Sequence, residues 1–456
     1  MSFTPSVVSD SYIYEPAPRA PDGPGNYRTQ WQSESESYQL GEIIRIPLSQ
    51  VERGFVNVQE SFLNLTIKDT ALTGVGFAAD NTRMSYIGGN AALDQCNLIA
   101  GGSYVQHTTQ YQSIFALNFV NNTDINNSLG NSITNNTASP STDSTDSMVG
   151  NVFPVTLNAA FTTATQSSDV TMSIPLMGIL SGQKAIPLGL LTSETVIELY
   201  ITNDIKNILF NGAANGTITG GTCTIKASFD ALVEVVSPSA MTDIKAASSG
   251  NNGIVSWSST EQRASSNTIT FAQLNSAQLA ESQYLCTGVK PRKLLSLVSG
   301  CFVANSAGNV DPWSVVAPWD QSQSGIQWQI GTRLFPPRKI ANRAEMVKHV
   351  SAAYNQETYS TQANRLPETT FKNRISASQT ASLVKTDTLR SCFGIDLTSF
   401  DKEHGDGLDC SMVNIIVGGN LKGTDTVSTQ NYQMVTVKRF GVLYSIDQSG
   451  TWAVSY

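Results

Sequence analysis

The sequence predicts an all-β protein built from two similar domains, and three observations support that prediction. Alternating apolar and polar residues, the pattern of half-buried strands, recur along most of the chain. Apolar residues at helical spacing occupy two short stretches. Those stretches close two units that share one order of elements and lie about half a chain length apart, which indicates one architecture built twice. A chain of 456 residues is also long enough for two domains of about 200 residues each.

The second-half unit runs from Gly325 to Tyr354. It begins with a strand whose apolar residues alternate with polar ones: Ile326, Trp328 and Ile330. Gly331 interrupts that strand, and a second short strand follows. Pro336 and Pro337 exclude the second strand from the centre of a sheet, because proline cannot donate a ladder hydrogen bond. A short helix comes next, with an apolar stripe made of Met346, Val347, Val350, Ala353 and Tyr354. This stripe is expected to pack the helix onto the end of the barrel formed by its own half.

The first-half unit runs from Ala91 to Phe119 and shares almost no residues with the second. A strand over Leu93–Ile99 is followed by a Gly101-Gly102 break and a short strand over Tyr104–His107. The helical stripe that follows consists of Tyr111, Ile114, Phe115 and Leu117 to Phe119. The order strand, break, short strand, helix is therefore the same in both halves.

The N-terminal residues 1–35 carry five prolines and few apolar side chains, so they cannot form a core and predict an extended arm. Such an arm is expected to order against a neighbouring molecule, and regular structure is expected from about Leu40. The first domain spans 36–238. Within it, residues 121–150 are mostly Asn, Ser, Thr, Asp and Gly and predict a long exposed loop.

Residues 239–253 are predicted to link the domains, and the second domain spans 254–456. The pattern gives six or seven strands in each half, beginning near Ile44 in the first and near Ile269 in the second. Long strands separated by long, uneven loops fit jelly-roll sandwiches better than meanders, because jelly-roll connections cross between two sheets. The fold class is therefore two tandem jelly rolls, each with a short helix.

The composition limits the kinds of partner that the protein can bind. Charged residues make up only 14% of the chain, against about 25% in ordinary domains. A surface rich in uncharged polar groups suits a protein packed against copies of itself, but a β-rich protein with long polar loops would look the same. The net charge of −8 argues against nucleic acid and against anionic membranes as partners.

The cysteines and the hydropathy also restrict the class of protein. The six cysteines are spread without a CxxC pair, which argues against a zinc site and favours buried free thiols in a reducing compartment. The N-terminus lacks the pattern of a signal peptide, and no apolar run approaches the roughly 18 residues of a membrane span. Without a signal peptide, the N-glycosylation sequons are expected to be unused and indicate polar loops at most. They lie at Asn64, Asn121, Asn126, Asn135 and Asn215.

No catalytic, cofactor-binding or metal-binding residue is assigned from the sequence, because no catalytic motif is present. The three histidines are His107, His349 and His404. The first two fall in the matching units, where they are either a paired site or unrelated polar positions. The densest polar cluster is a candidate calcium loop or a solvated turn, and consists of Asp401, Glu403, His404, Asp406 and Asp409.

Several segments together resemble the double jelly-roll major capsid proteins of double-stranded DNA viruses, most closely those of polinton-like viruses and virophages. The resemblance covers residues 38–456. Its carriers in the first half are AALDQCNLIAGGSYVQHTTQYQSIF and SIPLMGILSGQKAIPLGLLTSETVIELYIT. In the second half they are IQWQIGTRLFPPRKI, CFGIDLTSF, GLDCSMVNIIVGG and MVTVKRFGVLYSIDQSGTWAVSY.

The resemblance implies a structural protein of the virion rather than an enzyme, with no cofactor. Each chain would carry two eight-stranded jelly rolls, and three chains would form a pseudo-hexameric capsomer that tiles an icosahedral shell. The implied partners are further copies of the chain, neighbouring capsomers, and penton and minor capsid proteins, with no sequence-specific contact to nucleic acid. The alternative is a tandem jelly-roll protein that binds glycans, with Trp313 and Trp319 as the first candidate contacts.

Overall fold

The computed structural model describes most of the chain: residues 25–122, 134, 152–181, 185–211, 216–249, 255–269, 280–303, 308, 311–313, 315–316, 326–340, 343–354, 392–398, 407–421, 432–447 and 449–456. The prediction of an all-β chain with a few short helices is confirmed. The helices are α1 (Tyr111–Asn122), α2 (Pro238–Ser249) and α3 (Arg343–Ala353).

The strands of the first half are β1 (Asn26–Gln32), β2 (Tyr38–Gln39), β3 (Ile43–Leu48), β4 (Gly54–Val75), β5 (Thr82–Met84), β6 (Leu93–Ala100), β7 (Ser103–Thr109), β8 (Val155–Leu157), β9 (Thr163–Gln166), β10 (Val170–Ile174), β11 (Thr195–Ile201), β12 (Leu209–Asn211) and β13 (Thr217–Val235). Those of the second half are β14 (Val255–Ile269), β15 (Ala280–Leu285), β16 (Leu294–Val303), β17 (Val315–Val316), β18 (Ile326–Ile330), β19 (Arg333–Ile340), β20 (Phe393–Asp396), β21 (Ile415–Leu421), β22 (Tyr432–Ile446) and β23 (Trp452–Ser455).

Each half contains a large and a small antiparallel sheet. The first-half large sheet has the order β1-β13-β4-β9-β8, with β10 also paired to β4 and β2 to β13. The first-half small sheet has the order β3-β11-β6-β7. Consecutive strands such as β3 and β4 lie in different sheets, which is the crossing connection expected of a jelly roll.

The second half repeats the main strands of that topology in the same order. Its large sheet contains β14-β22-β16, with β20 on β16, and its small sheet has the order β15-β21-β18-β19. In the first half the strands in the same places are β1-β13-β4, with β10 on β4, and β3-β11-β6-β7. The predicted internal repeat is therefore confirmed at the level of strand order, and each half adds short strands of its own.

The two predicted strand–break–helix units occupy corresponding places. In each, a hairpin joins the last two strands of the small sheet, β6–β7 in the first half and β18–β19 in the second. Glycines with positive φ make both turns, Gly101 and Gly102 in the first and Gly331 in the second. Pro336 and Pro337 lie in β19, which is an edge strand as predicted.

The core sits between the two sheets of each half and follows the alternation of the strands. In the second half, Trp328 is fully buried between Ile326 and Ile330. In the first half, Ile44 and Ile46 of β3 are fully buried. Burying each such side chain stabilises the fold by roughly 1.5–3 kcal/mol, so the alternation decides which face of each strand points inward.

Two predictions about the N-terminal part and the linker need correction. Regular structure begins at Asn26 rather than near Leu40, because β1 pairs with β13 along its whole length. Trp31 in that strand is 7% exposed and stacks on Phe229, so residues 26–32 belong to the first jelly roll and not to an arm. The predicted linker is largely the helix α2. Residues 1–24 lie outside the described part of the chain, as does nearly all of the predicted loop at 121–150.

The helix α3 lies on a different surface from the predicted one. Its apolar stripe was expected at the end of its own barrel. Instead, Val350 and Ala353 lie against Gly394 of β20, where an added Cβ would come within 3.0 Å of the Val350 Cα. The flanking Phe393 and Ile395 belong to the core of the second jelly roll, so α3 covers the outer face of its large sheet.

Candidate functional site

The two jelly rolls meet in a buried region to which residues of both halves contribute. We call this region the junction. Its described first-half residues are those of α1 and the segments 85–91, 175–181, 185–192 and 207–211. Its described second-half residues are those of β14, β16, β22 and β23, with residues 308 and 311–313. For a protein without a catalytic motif, such a junction is the candidate functional site, since it determines how the two halves are presented to a partner.

A buried carboxylate fixes one side of the junction. Asp311 of the second half is 8% exposed. Its Oδ1 accepts a hydrogen bond from the Ser85 hydroxyl at 2.8 Å, and its Oδ2 accepts one from the Tyr86 backbone N–H at 2.7 Å. The backbone N–H of Trp313 donates to Oδ1 at 3.1 Å. Hydrogen bonds to a charged acceptor are stronger than neutral ones, so this carboxylate ties the halves together.

Trp313, the first candidate glycan contact, is part of the junction rather than of an exposed surface. Its indole Nε1 donates to the Asn207 carbonyl of the first half at 2.9 Å, and its ring meets Phe302 edge-on at 5.8 Å. Both the polar and the apolar part of the side chain are therefore engaged within the chain, which contradicts its proposed role in glycan recognition. Trp319 lies outside the described residues.

Apolar side chains from both halves fill the centre of the junction. One cluster combines Tyr86, Ile87, Ala91, Ile114, Ala116, Leu117 and Phe119 of the first half with Val298, Phe302, Val350, Ala353, Cys392, Val435 and Val437 of the second. The core of the first jelly roll is extended by second-half residues, namely Phe440, Val442, Tyr444, Ile446 and Trp452. Interfaces this apolar resemble the inside of a domain, so the two jelly rolls form one block.

Direct hydrogen bonds surround these clusters. The Asn118 amide of α1 donates to the Gln262 side chain at 2.9 Å, and the Gln110 amide donates to the Ser266 hydroxyl at 2.8 Å. Farther along, the Thr192 hydroxyl donates to the Ser449 carbonyl at 2.6 Å.

A buried ion pair lies on β14 within the junction. The Arg263 guanidinium approaches the Glu261 carboxylate at 3.0 Å, and their side chains are 10% and 2% exposed. Tyr444 and Tyr456 also bond to this pair, through Glu261 and Arg263 respectively. Burial raises the pKa of Glu261, and the neighbouring arginine and tyrosine hydroxyl oppose that rise.

A second buried charge lies inside the second jelly roll. Lys438 of β22 is 1% exposed, and its ammonium donates to the carbonyls of Cys286, Thr287 and Val289 at 2.8–3.1 Å. Burial lowers the pKa of this lysine. All three N–H groups of the ammonium donate to backbone carbonyls. The lysine therefore holds the segment after β15 in place and is not a reactive group.

The two histidines of the matching units are not brought together by any described contact. His107 on β7 is 2.9 Å from the Asn97 side-chain oxygen, whereas His349 on α3 lies 3.9 Å from Glu345. Burial lowers the pKa of both, and the pKa of His107 is lowered further by Arg263 across the junction.

The described residues hold no cluster of three or more His, Cys, Asp or Glu side chains suited to a metal. Residues 401–406 of the candidate calcium loop lie outside the described part. Asp409 accepts a hydrogen bond from the backbone N–H of Ser411 at 2.9 Å. All six cysteines are free and buried, as predicted, and burial raises the pKa of Cys96 to about 12.

Sequence reasoning missed Glu261, Arg263 and Lys438. Their only signal is the alternation of the strands. In β22 the period of two places Lys438 on the same face as the buried Met434 and Phe440, which marks it as an inward-pointing lysine. No comparable signal indicates that β14 meets the other half, because the contacts of an edge strand depend on the tertiary arrangement.

Comparison with solved structures places the fold in a class. Two jelly rolls in one chain, with equal strand order and a common core, are the architecture of viral double jelly-roll capsid proteins. The mavirus major capsid protein matches over 100% of this chain and 95% of its own, with a TM-score of 0.57 and 11% identity. A chain of the Sputnik virophage matches over 100% of this chain and 92% of its own, with a TM-score of 0.60 and 12% identity.

A giant-virus protein gives the same result. The Faustovirus major capsid protein matches over 95% of this chain and 91% of its own, with a TM-score of 0.53 and 10% identity. No family model matches the sequence, and no curated protein does either. The predicted resemblance is therefore confirmed for the fold, at an identity too low to be detected by sequence comparison. In the described residues, no helix is long and apolar enough to cross a membrane.

Proposed function

We propose that the protein is the major capsid protein of an icosahedral double-stranded DNA virus. It forms homotrimers that act as pseudo-hexameric capsomers and tile the viral shell, so its place is the virion. It acts by assembly and not by catalysis, and its partners are further copies of itself, with penton and minor capsid proteins at special positions of the shell.

The observation that carries this proposal is the equal strand order of the two jelly rolls joined by one buried junction. Two similar blocks in each chain and three chains in a ring give six similar positions, which pack on a surface in a hexagonal pattern. The apolar junction supports this function, because it holds the two blocks of each chain in a fixed relation.

Mass measurement on the purified protein tests the proposal. Light scattering coupled to size-exclusion chromatography is expected to give three times the single-chain mass at micromolar concentration. Negative-stain images are expected to show particles with six-sided outlines. A single-chain mass that persists at micromolar concentration, with two-lobed particles, would overturn the proposal.

A further inference from the structure

The outer face of each small sheet carries a row of four residues, one from each strand. In the first half the row is Pro47, Val196, Ile99 and Tyr104, which follows from the pairing of Val196 with Pro47 and Ile99, and of Ile99 with Tyr104. Although Val196 points away from the core of its own jelly roll, it is only 3% exposed. We call this the closed row because Val196 at its centre is covered; Tyr104 at its edge is 50% exposed.

The row in the same place in the second half is Leu285, Ile416, Gln329 and Leu334. Leu285 is 45% exposed and Leu334 is 50% exposed, while Ile416 is half-buried. We call this the open row. It is free of charged residues and presents aliphatic side chains from three strands, which is the composition of the centre of a protein interface.

Next to the closed row, residues of the second half contact the first half. Thr192 lies three residues before β11, and its hydroxyl donates to the Ser449 carbonyl. The adjacent Gly450 lies so close that an added Cβ would come within 2.8 Å of the backbone of Leu190 and Thr192. The turn between β22 and β23 therefore sits on the segment that leads into β11.

Next to the open row, the position that corresponds to Thr192 is occupied by Met412. It lies three residues before β21, the counterpart of β11, and is 91% exposed. A methionine side chain adapts its shape to an apolar partner, since it is long and unbranched. Thus the first half has a partner at this position, and the second half presents an exposed apolar side chain there.

We propose that Met412 and the open row bind the first half of a second copy of the chain, at the end of β13 and the beginning of α2. The strand β13 holds the place in the first-half large sheet that β22 holds in the second, so the residues after β13 correspond to the turn that closes on Thr192. Each copy has one open row and one such end, so the contact runs head to tail, and three such contacts close the ring of the proposed trimer. This inference rests on the proposed trimer and assigns the surface through which it forms.

A disulfide experiment tests the assignment. Ser239 at the start of α2 is exposed, and the six native cysteines are buried, so engineered thiols react selectively. The double variant Met412→Cys with Ser239→Cys is expected to give two- and three-chain bands on non-reducing gels after mild oxidation. Each single variant is expected to remain a single-chain band. Trimers that form normally but give no cross-linked band in the double variant would overturn the inference while the proposed function stands.

Charge substitutions provide the second test. Met412→Asp and Leu334→Asp introduce a carboxylate on exposed positions, so the monomer is expected to fold with an unchanged melting temperature. Each is expected to raise the concentration needed for trimer formation at least tenfold. Val75→Asp, on an aliphatic residue of the first half that is 60% exposed, is the matched control and is expected to assemble normally. Trimers of normal strength in both test variants would overturn the inference, and a wild-type protein that never trimerises would overturn it together with the proposed function.

Discussion

Glu261 and Arg263 lie two residues apart on one strand and form an ion pair at 3.0 Å in which both side chains are almost fully buried. The strand β14 carries them at the edge of the second jelly roll, close enough to the first for Arg263 to lower the pKa of His107. A buried pair of this kind contributes little net stability as a unit, but removing one member leaves the other charge buried without a partner.

Removing one member of the pair is therefore expected to lower the free energy of unfolding. Arg263→Met should lower the free energy of unfolding by about 3–5 kcal/mol, because it leaves the Glu261 carboxylate buried without its cation. The double variant Glu261→Leu with Arg263→Met should recover much of that loss. Chemical denaturation of the three proteins measures the difference. Equal losses in the single and double variants would show that the pair acts through packing alone.

Lys438 is expected to be needed for its three hydrogen bonds to backbone carbonyls. Lys438→Met leaves the Cys286, Thr287 and Val289 carbonyls without this donor, and should cost about 1–3 kcal/mol for each carbonyl that water does not reach. Lys290→Met, on an exposed lysine of the same segment, is the control and should stay within about 0.5 kcal/mol of the parent. Thermal unfolding followed by fluorescence measures both. A Lys438→Met protein as stable as the control would contradict the role of Lys438 in holding the segment after β15.

The junction carboxylate gives a prediction about how the halves unfold. Asp311→Ala deprives the Ser85 hydroxyl and the Tyr86 N–H of their acceptor, so we expect a loss of about 2–4 kcal/mol for two buried donors. Because the loss falls on the contact between the halves, calorimetry should show a broader or split transition. Asp409→Ala removes an exposed carboxylate and should leave one sharp transition. A sharp transition in Asp311→Ala would contradict the assignment.

The stability is expected to fall as the pH is lowered from 7 to 5, partly through His107. Its folded-state pKa lies below the ordinary value of 6.5, so the unfolded chain binds the proton first. The contribution of His107 to stability is fully present above the pKa that this histidine has in the unfolded chain. It is lost as the pH falls from there towards the folded-state pKa. His107→Gln should reduce this pH dependence, and His349→Gln should reduce it separately, since burial lowers that pKa as well. Denaturation midpoints at several pH values measure the effect; slopes unchanged in both variants would refute it.

The helix α3 offers a matched pair of substitutions on opposite faces of one turn. Val350→Asp puts a charge into the apolar cluster that α3 shares with α1, so folding and trimer yield should both fall. Lys348→Asp changes an exposed position of the same helix and should leave both unchanged. Soluble yield and light scattering measure the two outcomes. A well-folded Val350→Asp trimer would mean that this face of the helix tolerates water.

The order of elements could be predicted because it depends on local patterns. The alternation around Trp328, the glycine turn at Gly331 and the edge position of Pro336 each follow from residues close in sequence. The duplicated unit then indicated the double fold. The junction could not be predicted in this way, because its contacts join residues such as Ser85 and Asp311, which lie 226 positions apart.

The misplaced start of regular structure has a similar cause. The strand β1 is rich in polar residues, and it is ordered by its pairing with β13 and by the single buried ring of Trp31. Its sequence alone carries a weak strand signal after a proline-rich segment. The position of α3 was missed for the same reason, since the stripe indicated a buried face but not the sheet that covers it.

The closure of the first jelly roll by residues from the second has a consequence during translation. Thr192 and its partner Ser449 are separated by 257 positions. At about 5–20 residues per second, a ribosome needs on the order of ten seconds or more to span that distance. During that interval the nascent first half exposes the apolar surface that Tyr444 and Trp452 later cover, so we expect chaperones to bind it until synthesis of β22 and β23 is complete.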